Sequence, residues 1–276
     1  MLKPILFNTD MIKAIMDGRK TVTRRLFKLK YRDDESGFQV VTTMSGKFVR
    51  VEKLSENGSA IFPDGSERFV NPPFSAGDIL YVRETWCKGK VAYGEETDGR
   101  CVPFISQCPG EDDIIPKELA IREGIGIEDV VWKPSIFMPK EAARIFLRVK
   151  DVRVERLQAI TDEDAIREGI VRMFDHLSDA EYAAWGNKAA KGMAKTDWPW
   201  NNYLWHGDFG KFGLGSRKSD AWQYQRSGYD SPRDSFSSLW NLTVNLKDWD
   251  TYGWDANPWV WVIEFERISK EEAGCV

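Results

Sequence analysis

Histidine is nearly missing from this chain: His176 and His206 are the only two in 276 residues. Neither stands at a spacing that would join a cysteine in a metal-binding motif, so no metal and no cofactor is expected. Cysteine is sparse as well. Cys87, Cys101, Cys108 and Cys275 form no C-x-x-C pair, and free thiols in a reducing compartment are the expectation. No run of about 18 apolar residues occurs, which excludes a membrane-spanning helix. The first residues lack an apolar run ending in a small-residue cleavage site, so a cytoplasmic protein that does not engage a membrane is expected. Positive charge is not in excess either: 39 Lys and Arg face 43 Asp and Glu, a net charge of -4. That balance argues against a broad, sequence-blind nucleic-acid clamp, though a local basic groove remains compatible with it.

Several catalytic signatures are also wanting. "GKFGLGSRKS" lacks the lysine that a phosphate-binding loop places directly after its last glycine, because Ser216 follows Gly215. "HGDFG" at 206–210 has no glycine-rich loop or kinase catalytic loop to accompany it. No G-x-S-x-G elbow, H-E-x-x-H pair or zinc-deaminase signature is present.

What is present reads as a mixed α+β domain spanning 1–276. "KPILF" suits a short strand. Asn8, Thr9 or Asp10 can cap a helix whose apolar face is Met11, Ile12, Ile15 and Met16, and Asp17-Gly18 stops it. "TVTRRLF" follows as a strand. A third strand covers Ile79 to Thr85, and Ile145, Leu147, Val149, Val152 and Val154 alternate along a fourth, before a helix from about Asp162. "NPWVWVIEFER" closes the chain as a strand. These parts, at about 1–30, 72–90, 131–170 and 235–268, predict a small mixed β-barrel with helices. Insertions fill 31–71, 91–130 and 171–234, the first hairpin-like and the second with a helix near "PKELAIREG". "AIREGI" occurs at 120–125 and again at 165–170, each copy reading as a last helical turn running into a capping glycine. Nine of the twelve tryptophans lie between Trp198 and Trp261. Trp240 and the pair in "WVWVIEF" read as core, while Trp198, Trp200 and Trp205 could stack on bases or pack a local cluster.

One stretch concentrates charge: seven basic residues and no acid fall between Arg19 and Arg32. Together "AIMDGRKTVTRR", "GDILYVRETW", "LRVKDVRVERLQAITDEDAIREGI" and "FSSLWNLTVN…NPWVWVIEFER" resemble the ASCH domain family, a branch of the PUA-like barrels tied to RNA and nucleosides. Their arrangement is similar to the longer ASCH proteins of phages and prophages. The resemblance covers under half the chain. One branch of the family hydrolyses 4-acetylcytidine to cytidine and acetate, using a G-x-K-x-x-T turn and a glutamate ending a helix after the next long strand. Here those positions are Lys20, Thr23 and Glu168; the long strand before it selects Glu168 over Glu123. The resemblance implies that Lys20 is the base, Thr23 the nucleophile and Glu168 a proton donor, with a nucleoside or RNA as the ligand.

The chemistry sets conditions. A threonine needs a base at its hydroxyl, and a lysine serves as base only when its pKa falls from about 10.4 towards neutrality. Burial and neighbouring cations push it that way, and Arg19, Arg24 and Arg25 supply cations. Arg83 and Glu84, after "GDILYV", are further substrate-binding candidates, Arg83 as a donor to a developing oxyanion. Strict strand alternation would place Lys20 and Thr23 on opposite faces, so Lys20 has to precede the strand. The plainer alternatives are a solvated turn lysine, an ordinary strand threonine, and a helix-end Glu168 paired with Arg24 or Arg153. A non-catalytic module that binds RNA or a modified base, or a ribonuclease, would use the same residues.

Overall fold

The protein is described from a computed structural model, which defines residues 2–26, 38–42, 48–53, 72–95, 101–107, 113–128, 130–175, 199–203 and 228–274. In chain order the elements are β1 (Leu2–Leu6), α1 (Thr9–Met16), β2 (Val22–Leu26), β3 (Phe38–Thr42), β4 (Phe48–Lys53), β5 (Ile79–Arg83), β6 (Trp86–Lys88), β7 (Lys90–Glu95) and β8 (Cys101–Ser106). They continue with β9 (Ile114–Pro116), α2 (Lys117–Arg122), β10 (Phe146–Arg156), α3 (Asp162–Arg167), α4 (Pro232–Thr243), α5 (Trp249–Tyr252) and β11 (Trp259–Ile268). Helices and mixed sheets together make this an α+β chain. Among the described residues no strand pairing closes a barrel.

The chain divides into two compact units. The first takes Met1–Thr21, Phe74–Asp151 and Glu264–Val276. There β1 runs parallel to β5, with Leu2 opposite Ile79 and Leu6 opposite Arg83, and β10 runs antiparallel to β5, with Phe146 opposite Tyr81. Tyr81, Ala143, Phe146 and Ile268 pack one apolar cluster. Cys87, Ile105, Ile115, Ala120 and Ile125 pack another beneath the β6–β9 and β7–β8 ribbons. Asn8 is the residue that caps α1, its Oδ1 accepting from the Met11 N–H at 2.8 Å, while Ile12, Ala14 and Ile15 turn inward.

The second unit takes Val22–Pro73 and Val152–Ile263. Its strand order is β10-β11-β2, and the 31–71 insertion contains the antiparallel hairpin β3–β4. Helix α4 is capped by Ser231, whose hydroxyl accepts from the Asp234 N–H, and carries Pro232 in its first turn. It buries Phe236, Leu239 and Trp240. Phe236 meets Trp254 edge to face with ring centroids 6.2 Å apart. Along β10 the buried positions are Leu147 and Val149 and then Val152 and Val154. The inward parity therefore changes between 149 and 152, where the strand passes from one unit to the next.

Candidate functional site

Lys20 follows the end of α1. The helix closes on Gly18 at φ +75°, a left-handed conformation that glycine adopts without Cβ strain. The N–H groups of Arg19 and Lys20 both return to the Ala14 carbonyl, at 2.9 and 3.0 Å. Lys20 thus lies in the turn, two residues before β2 starts at Val22. Its side chain is only 2% exposed, with the ammonium 5.8 Å from the centroid of the Phe7 ring. Arg19 stays at the surface and pairs with Asp17 at 3.0 Å.

In the second unit, β2 carries Thr23 (3% exposed), Arg24 (5%) and Arg25 in succession, and Val22, Thr23 and Arg24 are all buried. A strand with consecutive buried residues has both faces covered. Helix α3 starts from Thr161, whose hydroxyl accepts from the Asp164 N–H at 3.1 Å, and ends at Glu168 before Gly169 at φ +97°. That course buries Glu168 and leaves it 4% exposed. Arg24 Nη1 donates to Glu168 Oε1 at 3.2 Å, and Nη2 donates to Asp164 Oδ2 at 3.0 Å and Glu155 Oε2 at 3.5 Å. The Arg24 guanidinium also lies 5.9 Å from the Phe236 ring centroid, and its Nε is buried without a hydrogen-bond partner among the described residues. Arg153 bonds Glu155 and pairs with Asp164, which Arg167 also reaches. Burial holds the Arg25 guanidinium below its ordinary range, and the Glu168 carboxylate works against that shift.

The remaining candidates belong to the first unit. Arg83 donates to the Ile136 carbonyl at 3.0 Å and to Tyr81 Oη at 3.2 Å, and its own Nε is buried without a hydrogen-bond partner among the described residues. Glu84 is 1% exposed and accepts two hydrogen bonds from Arg144, from Nε at 3.0 Å and from Nη2 at 2.7 Å. The same Nη2 bonds Glu118, which is also buried. Burial raises the Glu84 pKa above the usual carboxylate range against the pull of Arg144. Arg144, although burial disfavours its charge, is held above its ordinary value by its two carboxyl partners.

The chain therefore brings Arg24, Arg25 and Glu168 together in the second unit, where Thr23 is also buried. Lys20, Arg19, Arg83 and Glu84 belong to the first. Sequence reasoning missed Glu118 and Arg144, which lie 26 positions apart with no local pattern joining them. It also missed Asp164 and Glu155, although the acidic run "TDED" was a signal for Asp164. Trp200 is half-buried under the Arg172 guanidinium, 4.6 Å from its ring centroid, whereas Trp198 and Trp205 lie outside the described residues. No family model, curated protein or solved structure matches this chain.

Proposed function

We propose that this chain is an ASCH-type, PUA-like protein that acts on a modified nucleoside or RNA, hydrolysing the amide of an N-acylated cytidine such as 4-acetylcytidine. The observation that carries the reading is the burial of Lys20 at the end of a cationic turn. Lysine is almost never fully buried, and a lysine taken out of water is the form of the residue that can act as a base. Thr23 and Glu168, the other two positions that the resemblance selects, are buried as well. Lys20 and Thr23 are three residues apart, so the chain itself holds their Cα atoms within about 11 Å.

In this reading Lys20 Nζ takes the Thr23 hydroxyl proton as Thr23 Oγ1 bonds to the acyl carbon. The C–N4 bond then breaks, and the amine of cytidine leaves with a proton from Glu168. Water cleaves the threonyl ester, releasing acetate, returning a proton to Glu168 and letting Lys20 reprotonate Thr23. One observation favours a second reading. The ion pair between Glu168 and Arg24 engages the carboxyl group that the reaction would need as a donor, and that suits a module that binds a modified base or RNA without reacting.

The test is incubation of the purified protein with 4-acetylcytidine, with cytidine followed by mass, beside Lys20→Ala and Thr23→Val variants. Cytidine release that is lost in both variants establishes the hydrolase. A folded protein that releases none overturns it, and saturable RNA binding weakening with salt would then identify the binding module.

A further inference from the structure

The β7–β8 ribbon of the first unit has one open edge. Strand β7 pairs antiparallel with β8, Val91 opposite Ile105 and Tyr93 opposite Pro103, and among the described residues no strand lies along its other side. The outer side of β8 is taken instead, the Gly126 N–H donating to the Pro103 carbonyl at 2.8 Å. An open edge carries a row of backbone N–H and C=O groups that can template a further strand. Natural edges are blunted by a proline, a bulge or a charge along the strand. Strand β7 reads KVAYGE, with its two charges only at the ends, and its pairing with β8 runs in unbroken register. Its middle is apolar and open: Val91 is 41% exposed and Tyr93 71%. On the opposite face the Phe104 ring lies against Gly94, 3.3 Å from the place a Cβ would take.

The pattern of β7 also selects the strand that fits this edge. When a two-fold axis normal to the sheet relates two copies, every side chain stays on its own face, so only residues of equal parity can stand opposite one another. Two antiparallel registers then keep the central residues paired. The register centred on Tyr93 sets Val91 against the partner's Glu95. The register centred on Ala92 sets Val91 against the partner's Tyr93, and Tyr93 against the partner's Val91. It thus forms two aromatic–β-branched cross-strand pairs, a favourable combination, with the two small Ala92 side chains meeting on the other face.

We infer that β7 is a dimerisation strand, through which two copies of this chain pair antiparallel about Ala92. The two ribbons then form one four-stranded sheet, in the order β8–β7–β7–β8. A two-stranded ribbon is marginal by itself in water, whereas more strands with an apolar face hold together. One six-residue edge buries well under the roughly 800 Å² per partner of a stable complex. The dimer is therefore weak, with a Kd on the order of 100 µM. The inference does not rest on the nucleoside reading, since it uses only the β7–β8 ribbon.

The test is analytical ultracentrifugation of the full chain from about 5 to 500 µM, a range that brackets that Kd. Reducing conditions are kept because Cys101 is exposed on β8 and could form a disulfide. The parent is expected to pass from monomer to dimer and no further. Ala92→Lys and Ala92→Glu each set like charges face to face and are expected to weaken self-association at least tenfold, while an equimolar mixture of the two regains a dimer at least as tight as the parent's. Amide hydrogen exchange of the unmutated chain tests the same contact without a substitution: the N–H groups of 91–94 are expected to gain protection between the lowest and highest concentrations. A parent that stays monomeric, a mixture no tighter than either variant alone, growth beyond a dimer, or exchange in 91–94 that ignores concentration overturns the inference.

Discussion

Arg24 and Glu168 are 144 positions apart in sequence, yet they form a buried ion pair at 3.2 Å, their side chains 1% and 4% exposed. The same guanidinium also holds Asp164 and Glu155. Deleting one partner of such a buried pair leaves uncompensated charge and costs about 3–5 kcal/mol. Arg24→Met leaves three carboxylates around an apolar side chain, so its unfolding free energy from urea titration is expected to fall by that amount. Glu168→Gln keeps Asp164 and Glu155 opposite Arg24 and is expected to cost less. An Arg24→Met variant as stable as the parent would show that the network contributes nothing to the fold.

Glu84 gives the first unit a pH dependence of defined sign. Its folded pKa is raised by burial, partly opposed by Arg144, with Glu118 pushing it further up and Arg122 pulling it down. A raised folded pKa means that the native state binds the proton more tightly than the unfolded chain does. The stability this contributes is complete below the ordinary carboxylate value, about 4.3, and is lost as pH rises through the folded value. Glu84→Gln removes that contribution. The destabilisation it causes is therefore expected to be larger at pH 4 than at pH 8 in paired urea titrations. A pH-independent difference would exclude a raised Glu84 pKa.

Gly18 isolates backbone strain from packing. It sits at φ +75°, and a Cβ added there meets nothing within 4 Å. Gly18→Ala is then expected to cost about 1–2 kcal/mol through left-handed strain alone. Gly18→Asn is expected to cost less, because asparagine tolerates that region. Thermal unfolding of the three proteins checks the order; equal costs for Ala and Asn would argue against it.

How much of this was readable depended on how far each signal travels along the chain. Helix α1 with its Asn8 cap, the α3 start at Asp162 and strands β1, β5 and β11 rest on local periodicity and capping, which a sequence displays directly. The two "AIREGI" copies end alike. Gly124 and Gly169 both take positive φ, and Ile125 and Ile170 return their N–H to Ala120 and Ala165, at 2.9 and 3.4 Å. Helix α4 was not foreseen. Ser235 (0% exposed) and Ser238 (1%) face inward where apolar residues would have shown the helical period. Ser235 Oγ bonds the Asn201 carbonyl, and Ser238 Oγ accepts from the Tyr203 N–H. The charge partners were least legible. Arg24 reaches carboxylates 131, 140 and 144 positions away. Short-range patterning carries no record of such pairs, and only Glu168 entered the sequence reading, through a resemblance.

Two thiols of the first unit should react very differently. Cys87 lies in β6 with no exposed surface, packed with Ile105, Ile115 and Ala120, and burial raises its pKa. Cys101 opens β8 and is exposed. Only the thiolate attacks an alkylating reagent, so both access and ionisation disfavour Cys87. Brief treatment of the native protein with iodoacetamide at pH 8, followed by peptide mapping, is expected to modify Cys101 at least tenfold faster than Cys87. Adding denaturing urea removes both protections, and the two rates should then converge. Cys87 labelled as fast as Cys101 in the native protein would mean that this core opens on the timescale of the reaction. Gly89, where a Cβ would sit 2.6 Å from the Ser106 carbonyl oxygen and 2.9 Å from Ile105 Cγ2, would then be the next place to look, with Gly89→Ala expected to speed Cys87 labelling by displacing Ile105, which packs in the same cluster.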